Sequence, residues 1–183
     1  MIEMKDQIAA RLHGQFDEMG FAAPGVEALR EGADVSLRTL YKYFPSREAM
    51  VVGALEHRDR AYDDWIGTGP AEGADHVLHI LVRLADWLSG ISNAGCLFRN
   101  ALSAYPDSAA IRAAVKAHKA GLRAKFQGRL AHVAPRCDAD RLADQLFILH
   151  EGMTEAARLI GPAAARRQTL RTARLILTAA DIA

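Results

Sequence analysis

The stretch SLRTLYKYFPSRE, Ser36 to Glu48, sets three cations (Arg38, Lys42, Arg47) beside three aromatics (Tyr41, Tyr43, Phe44), with no acid before its last residue. These side chains suit a nucleic-acid surface. Arginine donates two hydrogen bonds to guanine O6 and N7, and threonine hydrogen-bonds a base edge or touches a thymine methyl. Hydroxyls and cations also satisfy phosphates, which position a protein without reading sequence. A short amphipathic surface helix with a wet face would have the same composition. Spacing and neighbouring elements must separate the two readings.

A helix-turn-helix needs two short helices, a tight turn and a second helix free to enter the major groove. Pro24-Gly25 opens a short helix with Val26 and Leu29 on one face, and Gly32-Ala33-Asp34-Val35 breaks it. Ser36 is a good N-cap for the next helix, which ends near Phe44-Pro45 because the residue before proline resists helical geometry. Val26, Leu29, Ala33, Val35 and Leu40 are apolar where the two helices must pack. The face left over carries Ser36, Arg38, Thr39, Lys42 and Tyr43. Arg47 falls in the first turn of a following helix, capped by Ser46, where free backbone N–H groups and its own charge suit a phosphate.

The rest of the chain also reads as helix. Half of its 183 residues are hydrophobic, and alanine, leucine and arginine dominate, which favours helices over strands. Ile8, Leu12, Phe16 and Met19 form a first helical stripe closed by Gly20. A long helix from Ser46 to about Ile66 stops at Gly67-Thr68-Gly69-Pro70. Val77, Leu81, Leu84, Leu88 and Ile91 make the next stripe, Cys96 to Tyr105 another helix, and Ile111, Val115, His118, Leu122 and Phe126 a further stripe. Beside that last one runs a basic row, Arg112, Lys116, Lys119 and Arg123, which reads as a solvated face. Leu142, Leu146, Leu149 and Met153 lead a helix ended by Gly161, and Pro162 suits the first position of the last helix, to about Ala180. Nine or ten helices are expected, so the fold class is all-α.

Charge alone makes no case for nucleic acid. The formal net charge is +1, and residues 1–60 hold 8 Lys/Arg against 10 Asp/Glu; any DNA contact must come from a local patch. The first residues carry acids and lack the apolar core of an export signal. No apolar run approaches the roughly 20 residues of a membrane span. Cys96 and Cys137 fit no disulfide framework or C-x-x-C pattern. The expected location is cytoplasmic, with no membrane partner.

Ala33 to Met50, ADVSLRTLYKYFPSREAM, resembles the DNA-binding segment of TetR-family transcriptional repressors. That family's pattern is roughly A-G-V-S-x-x-x-L-Y-x-[HY]-F-x-[SN]-[KR]-E-x-L. Val35, Ser36, Thr39, Leu40, Tyr41, Tyr43, Phe44, Ser46, Arg47 and Glu48 match it. The resemblance covers residues 4–60; the remainder is similar in layout only. It implies base-edge or groove contacts from Leu37, Arg38 and Thr39, phosphate contacts from Tyr41, Tyr43 and Arg47, and Ser36 near the DNA backbone; Lys42, on the same face, is a further DNA candidate or else only solvated. Leu40 and Phe44 are core positions. The chain departs from the pattern at Pro24-Gly25, in place of Thr-Ser, and at Asp34, in place of glycine.

The resemblance further implies an N-terminal three-helix helix-turn-helix domain, residues 1–47, and a larger helical effector-binding and dimerisation domain, residues 48–183. The last two helices would pair in a homodimer. Their leucines and small residues (Leu142, Leu146, Leu149, Met153, Ala157, Leu170, Ala173, Leu177) fit that role, and a monomer core would look much the same. Trp65, Trp87, Phe98, Asn100, Tyr105, Phe147, His150 and Glu151 are aromatic or polar groups in apolar helices and the candidates for contacts to a small organic effector.

The resulting expectation is a ligand-responsive transcriptional regulator, a repressor released by its effector from a palindromic double-stranded operator. The alternative is a helical small-molecule binding protein without DNA-binding activity. An enzyme is not expected. The chain has no E-x-x-H pair, G-x-S-x-G or phosphate-binding glycine loop. His76 and His79 would ligate metal only if other helices supplied partners, and Cys96, at a helix start, is a possible thiol sensor. No cofactor is expected.

Overall fold

The computed structural model describes residues 3–91 and 95–183. Residues 1, 2 and 92–94, which fall within the two expected regions, lie outside it. Nine α-helices occur among the described residues: α1 (Met4–Met19), α2 (Val26–Gly32), α3 (Leu37–Tyr43), α4 (Arg47–Ile66), α5 (Gly73–Gly90), α6 (Leu97–Ala104), α7 (Ala109–Val133), α8 (Ala139–Ile160) and α9 (Pro162–Thr178). Among the described residues no helix is long and apolar enough to cross a membrane.

The helix ends follow from the residues there. Gly20 closes α1 at φ 72°, and its N–H bonds to Phe16 O. Ser36 caps α3, its side chain accepting from Thr39 N–H, and Ser46 caps α4 through Ala49 N–H at 3.0 Å. Pro162 opens α9, where its missing N–H costs nothing.

The helices form two compact units. The first comprises 1–64 and 96–118, the second 65–95 and 119–183, so α4 and α7 each contribute to both. The expected division at residue 47 is one of role, which packing alone does not address. In the first unit Ile8, Leu12 and Phe16 of α1, Leu29 of α2, Leu40 and Phe44 around α3, and Met50, Val51 and Leu55 of α4 share one core with Phe98, Ala101 and Ile111. Burying each large side chain contributes about 1.5–3 kcal/mol. Met19, expected on the α1 stripe, is exposed. It is the last residue of α1.

In the second unit α5, α8 and α9 pack together. The α5 stripe holds as expected through Leu88, while Ile91, past the helix end, is exposed. Leu142, Leu146, Met153, Ala157, Ala173 and Leu177 are buried within this unit. Those interface candidates are therefore the protomer's own core. The large apolar side chains left outside on α8 and α9 are Ile148, Leu159, Ile160 and Leu175, with Leu159 85% exposed. The basic row of α7 is not simply solvated: Arg123 pairs with Asp140 and Asp144, and Lys119 with Glu151.

Candidate nucleic-acid interface

The turn between α2 and α3 is built by Ala33, Asp34, Val35 and the cap Ser36. Asp34 takes φ 53°, the left-handed region that aspartate tolerates better than most residues. Arg11 of α1 holds the turn, donating from Nη1 to Ala33 O at 2.6 Å and lying 3.3 Å from the Asp34 carboxylate. Gln15 does the same for α2, donating to Ala28 O at 2.8 Å. Behind α3, Leu40 is fully buried and the Phe44 ring lies against α4. A Cβ at Gly53 would come within 2.3 Å of that ring, so glycine is needed there for Phe44 to seat.

This packing leaves one face of α3 in solvent. Ser36, Leu37, Arg38, Tyr41 and Lys42 are exposed, while Thr39 and Tyr43 are half-buried. The hydroxyls of Ser36 and Thr39 lie 2.8 Å apart, and Ser36 Oγ also accepts the Thr39 N–H at 3.0 Å. Both hydroxyls thus take part in the cap. Lys42 Nζ lies 5.3 Å from the Tyr43 ring centre, a cation–π contact. The acids nearby are partly neutralised, since Arg30 pairs with both Glu27 and Glu31.

Arg47 differs from expectation. Its guanidinium is turned inward: Nε donates to Tyr105 Oη at 2.7 Å, Nη1 to Pro24 O at 2.7 Å and Nη2 to Phe21 O at 2.6 Å. These bonds use three of its five N–H groups. The guanidinium also lies 5.9 Å from the Phe16 ring centre. Arg47 is therefore a clamp that fixes the α1–α2 loop, and so the start of α2, to α4 and to the end of α6. A cavity of about 540 Å³ lies beside it, lined by Phe21 to Val26, Arg47, Ala104 and Tyr105. The next residue is held as well: the Ser108 hydroxyl, which caps α7 through Ile111 N–H, donates to the Glu48 carboxylate. Arg11, Gln15 and Tyr105 carry no motif, and sequence reasoning missed their part in positioning the reading helix.

The effector candidates divide between the units. In the first, Phe98 stacks on His118 with ring centres 3.7 Å apart and planes 3° apart, and His118 Nδ1 lies 2.6 Å from Asp59. Asn100 is half-buried there, and Tyr105 binds Arg47. In the second, Trp65 and Trp87 meet edge to face at 5.8 Å, Trp65 Nε1 donates to Arg83 O, and the Arg83 guanidinium covers the Trp65 ring at 3.9 Å. Phe147 is half-buried, and His150 is buried edge-on to Phe126. Lys119 Nζ reaches both oxygens of Glu151, at 2.7 and 2.6 Å. Burial pushes the Glu151 carboxyl up, but hydrogen bonds from His150 and Lys119 and the Lys119 charge outweigh it and hold it at about 2. His76 and His79 turn to the backbone, at Pro70 O and Ile66 O. Among the described residues no group of three or more His, Cys, Asp and Glu side chains is arranged to hold a metal ion.

A short capped helix presented outward, with its partner helix and turn fixed from behind, defines a helix-turn-helix protein. Residues 8–54 match the model of the bacterial regulatory proteins of the tetR family. The match is confined to that N-terminal segment, which holds the helix-turn-helix. Over its whole length the chain shares its fold with solved transcriptional regulators. It superposes on a TetR-family transcriptional regulator from Streptomyces coelicolor with TM-score 0.84 and 23% identity, covering 97% of this chain and 95% of that one. The reduced form of NemR from E. coli gives 0.79 and 22%, covering 99% and 98%. A TetR transcription regulator from Haloarcula marismortui gives 0.80 and 14%, covering 98% of each. Among curated proteins, none matches the chain by sequence.

Proposed function

We propose that the chain is a homodimeric repressor released from a two-fold operator by a small organic effector. Residues 1–47 carry the DNA-binding role, and residues 48–183 bind the effector and dimerise. The observation that carries the reading is the outward face of α3, with Arg38 and Lys42 exposed beside Leu37 and Tyr41 on a helix whose other side is sealed by Leu40 and Phe44. Arg38 reads a base edge, and Leu37 contacts the groove. Tyr41, Tyr43 and Lys42 hold phosphates, and Ser36 and Thr39 serve the DNA through the cap they form. Arg47 reaches a phosphate only through the N–H groups its clamp leaves over.

Two recognition helices in successive major grooves must sit about 34 Å apart, which requires a dimer. Ile148, Leu159 and Leu175, exposed on α8 and α9, support a second copy seated there. The effector acts by binding better to the conformation whose helices are wrongly spaced. Its contacts are drawn from Trp65, Trp87, Phe98, Asn100, Tyr105, Phe147, His150 and Glu151.

The test is retardation of DNA from upstream of the chain's own coding sequence, repeated with a panel of small organic molecules. Sequence-selective retardation that one compound relieves is expected. A compound that binds free and DNA-bound protein equally would exclude the release mechanism, and absence of any DNA binding would favour a small-molecule binding protein.

A further inference from the structure

The first residue of α3 is a leucine with no place in the core. Leu37 is 38% exposed, whereas Leu40 and Phe44, which seal the helix from behind, are 0% and 2% exposed. One turn later, at the i+4 position on the same face, Tyr41 is 41% exposed. Arg38 and Lys42 stand beside this apolar pair and are exposed too. The Ser36 hydroxyl accepts the Thr39 backbone N–H and is bonded to the Thr39 hydroxyl. Beside that hydroxyl pair, the start of α3 offers DNA one long cationic donor and one bare aliphatic side chain.

In the major groove the thymine 5-methyl is the one apolar group that projects from a base edge, where cytosine has only a C–H. The first turn of a recognition helix is the part that meets base edges. We propose that Leu37 reads a thymine methyl in each half-site of the operator, so that recognition depends on that methyl group; the inference rests on the DNA-binding reading above. Arg38, the next residue, supplies hydrogen bonding to an adjacent pair, and Tyr41 covers the outer side of the contact.

The experiment uses the full chain and a duplex it selects from a randomised pool. Each thymine of that duplex is replaced in turn by deoxyuridine, which removes only the methyl, and affinity is measured by fluorescence anisotropy. One position per half-site should respond, with a loss of about fourfold per half-site and about fifteenfold for both, as expected for one buried methyl each. With Leu37→Ala protein, the thymine and uracil duplexes should bind equally. A selected duplex whose affinity is indifferent to every methyl would overturn the inference while leaving DNA binding intact. Undiminished methyl discrimination by Leu37→Ala would remove the assignment to Leu37. If no duplex is selected at all, the inference falls together with the DNA-binding reading.

Discussion

Replacing Arg47 by alanine separates a clamp from a phosphate contact. In the folded chain its guanidinium satisfies two backbone carbonyls, Phe21 O and Pro24 O, and the Tyr105 hydroxyl. A hydrogen bond from a charged donor contributes about 1.5–3 kcal/mol, and the low end applies because the site is only partly buried. The three share one side chain and do not add independently, so a total of about 3 kcal/mol is expected. Tyr105→Phe removes one acceptor and should cost about 1 kcal/mol. Arg47→Lys should fall between, since an ammonium cannot span the two carbonyls as a planar fork does. Urea unfolding followed by far-UV circular dichroism measures all three. The same proteins should be titrated with DNA at several salt concentrations. If Arg47 is a clamp, its alanine variant loses stability while the salt dependence of whatever binding remains is unchanged. Parental stability together with a salt slope shallower by about 2 for the dimer would refute the clamp and restore Arg47 to the phosphates.

Other perturbations test the remaining elements. Ser36→Ala removes the cap that also fixes Thr39, and should cost about 1 kcal/mol in urea unfolding and weaken DNA binding. Burial, with the nearby Arg58 and His57 charges, lowers the His13 pKa from 6.5 to about 4, against a weaker opposing pull from Asp17. Its folded pKa lies below the unfolded one, so stability should fall as pH drops from about 6.5 to about 4, and His13→Leu should flatten that window. Glu151 is held at about 2 against an ordinary 4.5. Its contribution is present above 4.5 and lost as pH falls towards 2, a lower window that Glu151→Gln should abolish in the same pH series. Leu159→Glu with Leu175→Glu should shift sedimentation from dimer to monomer without changing helix content.

Much of the fold was legible because it depends on side-chain type at fixed spacing. The Ser36 and Ser46 caps, the Gly20 and Pro162 boundaries and the stripes of α5 and α7 all appear where local chemistry requires them. The inward turn of Arg47 was not legible. Two of its partners are backbone carbonyls 23 and 26 residues away, and a carbonyl leaves no mark on residue type. Arg11 at Ala33 O is hidden for the same reason. In α8 and α9 the periodic leucines mark the face buried within the α5, α8 and α9 packing. Ile148, Leu159 and Leu175 lie off that stripe, and their exposure is visible only once the buried set is known. The two compact units could not be read along the chain, because α4 and α7 contribute to both.

The central claim is that α3 presents a small, outward cationic face to a specific duplex. With Arg47 turned inward, Arg38 and Lys42 leave roughly four cations per dimer for phosphate and groove contacts. The measurement is the affinity of the full chain for its selected duplex, and for a scrambled one, across a series of salt concentrations. A log–log slope of about −4 is expected, falling further in magnitude on Lys42→Ala, with preference for the selected duplex by about a thousandfold or more. Equal affinity for both duplexes, or a slope that Lys42→Ala and Arg38→Ala leave unchanged, would contradict it.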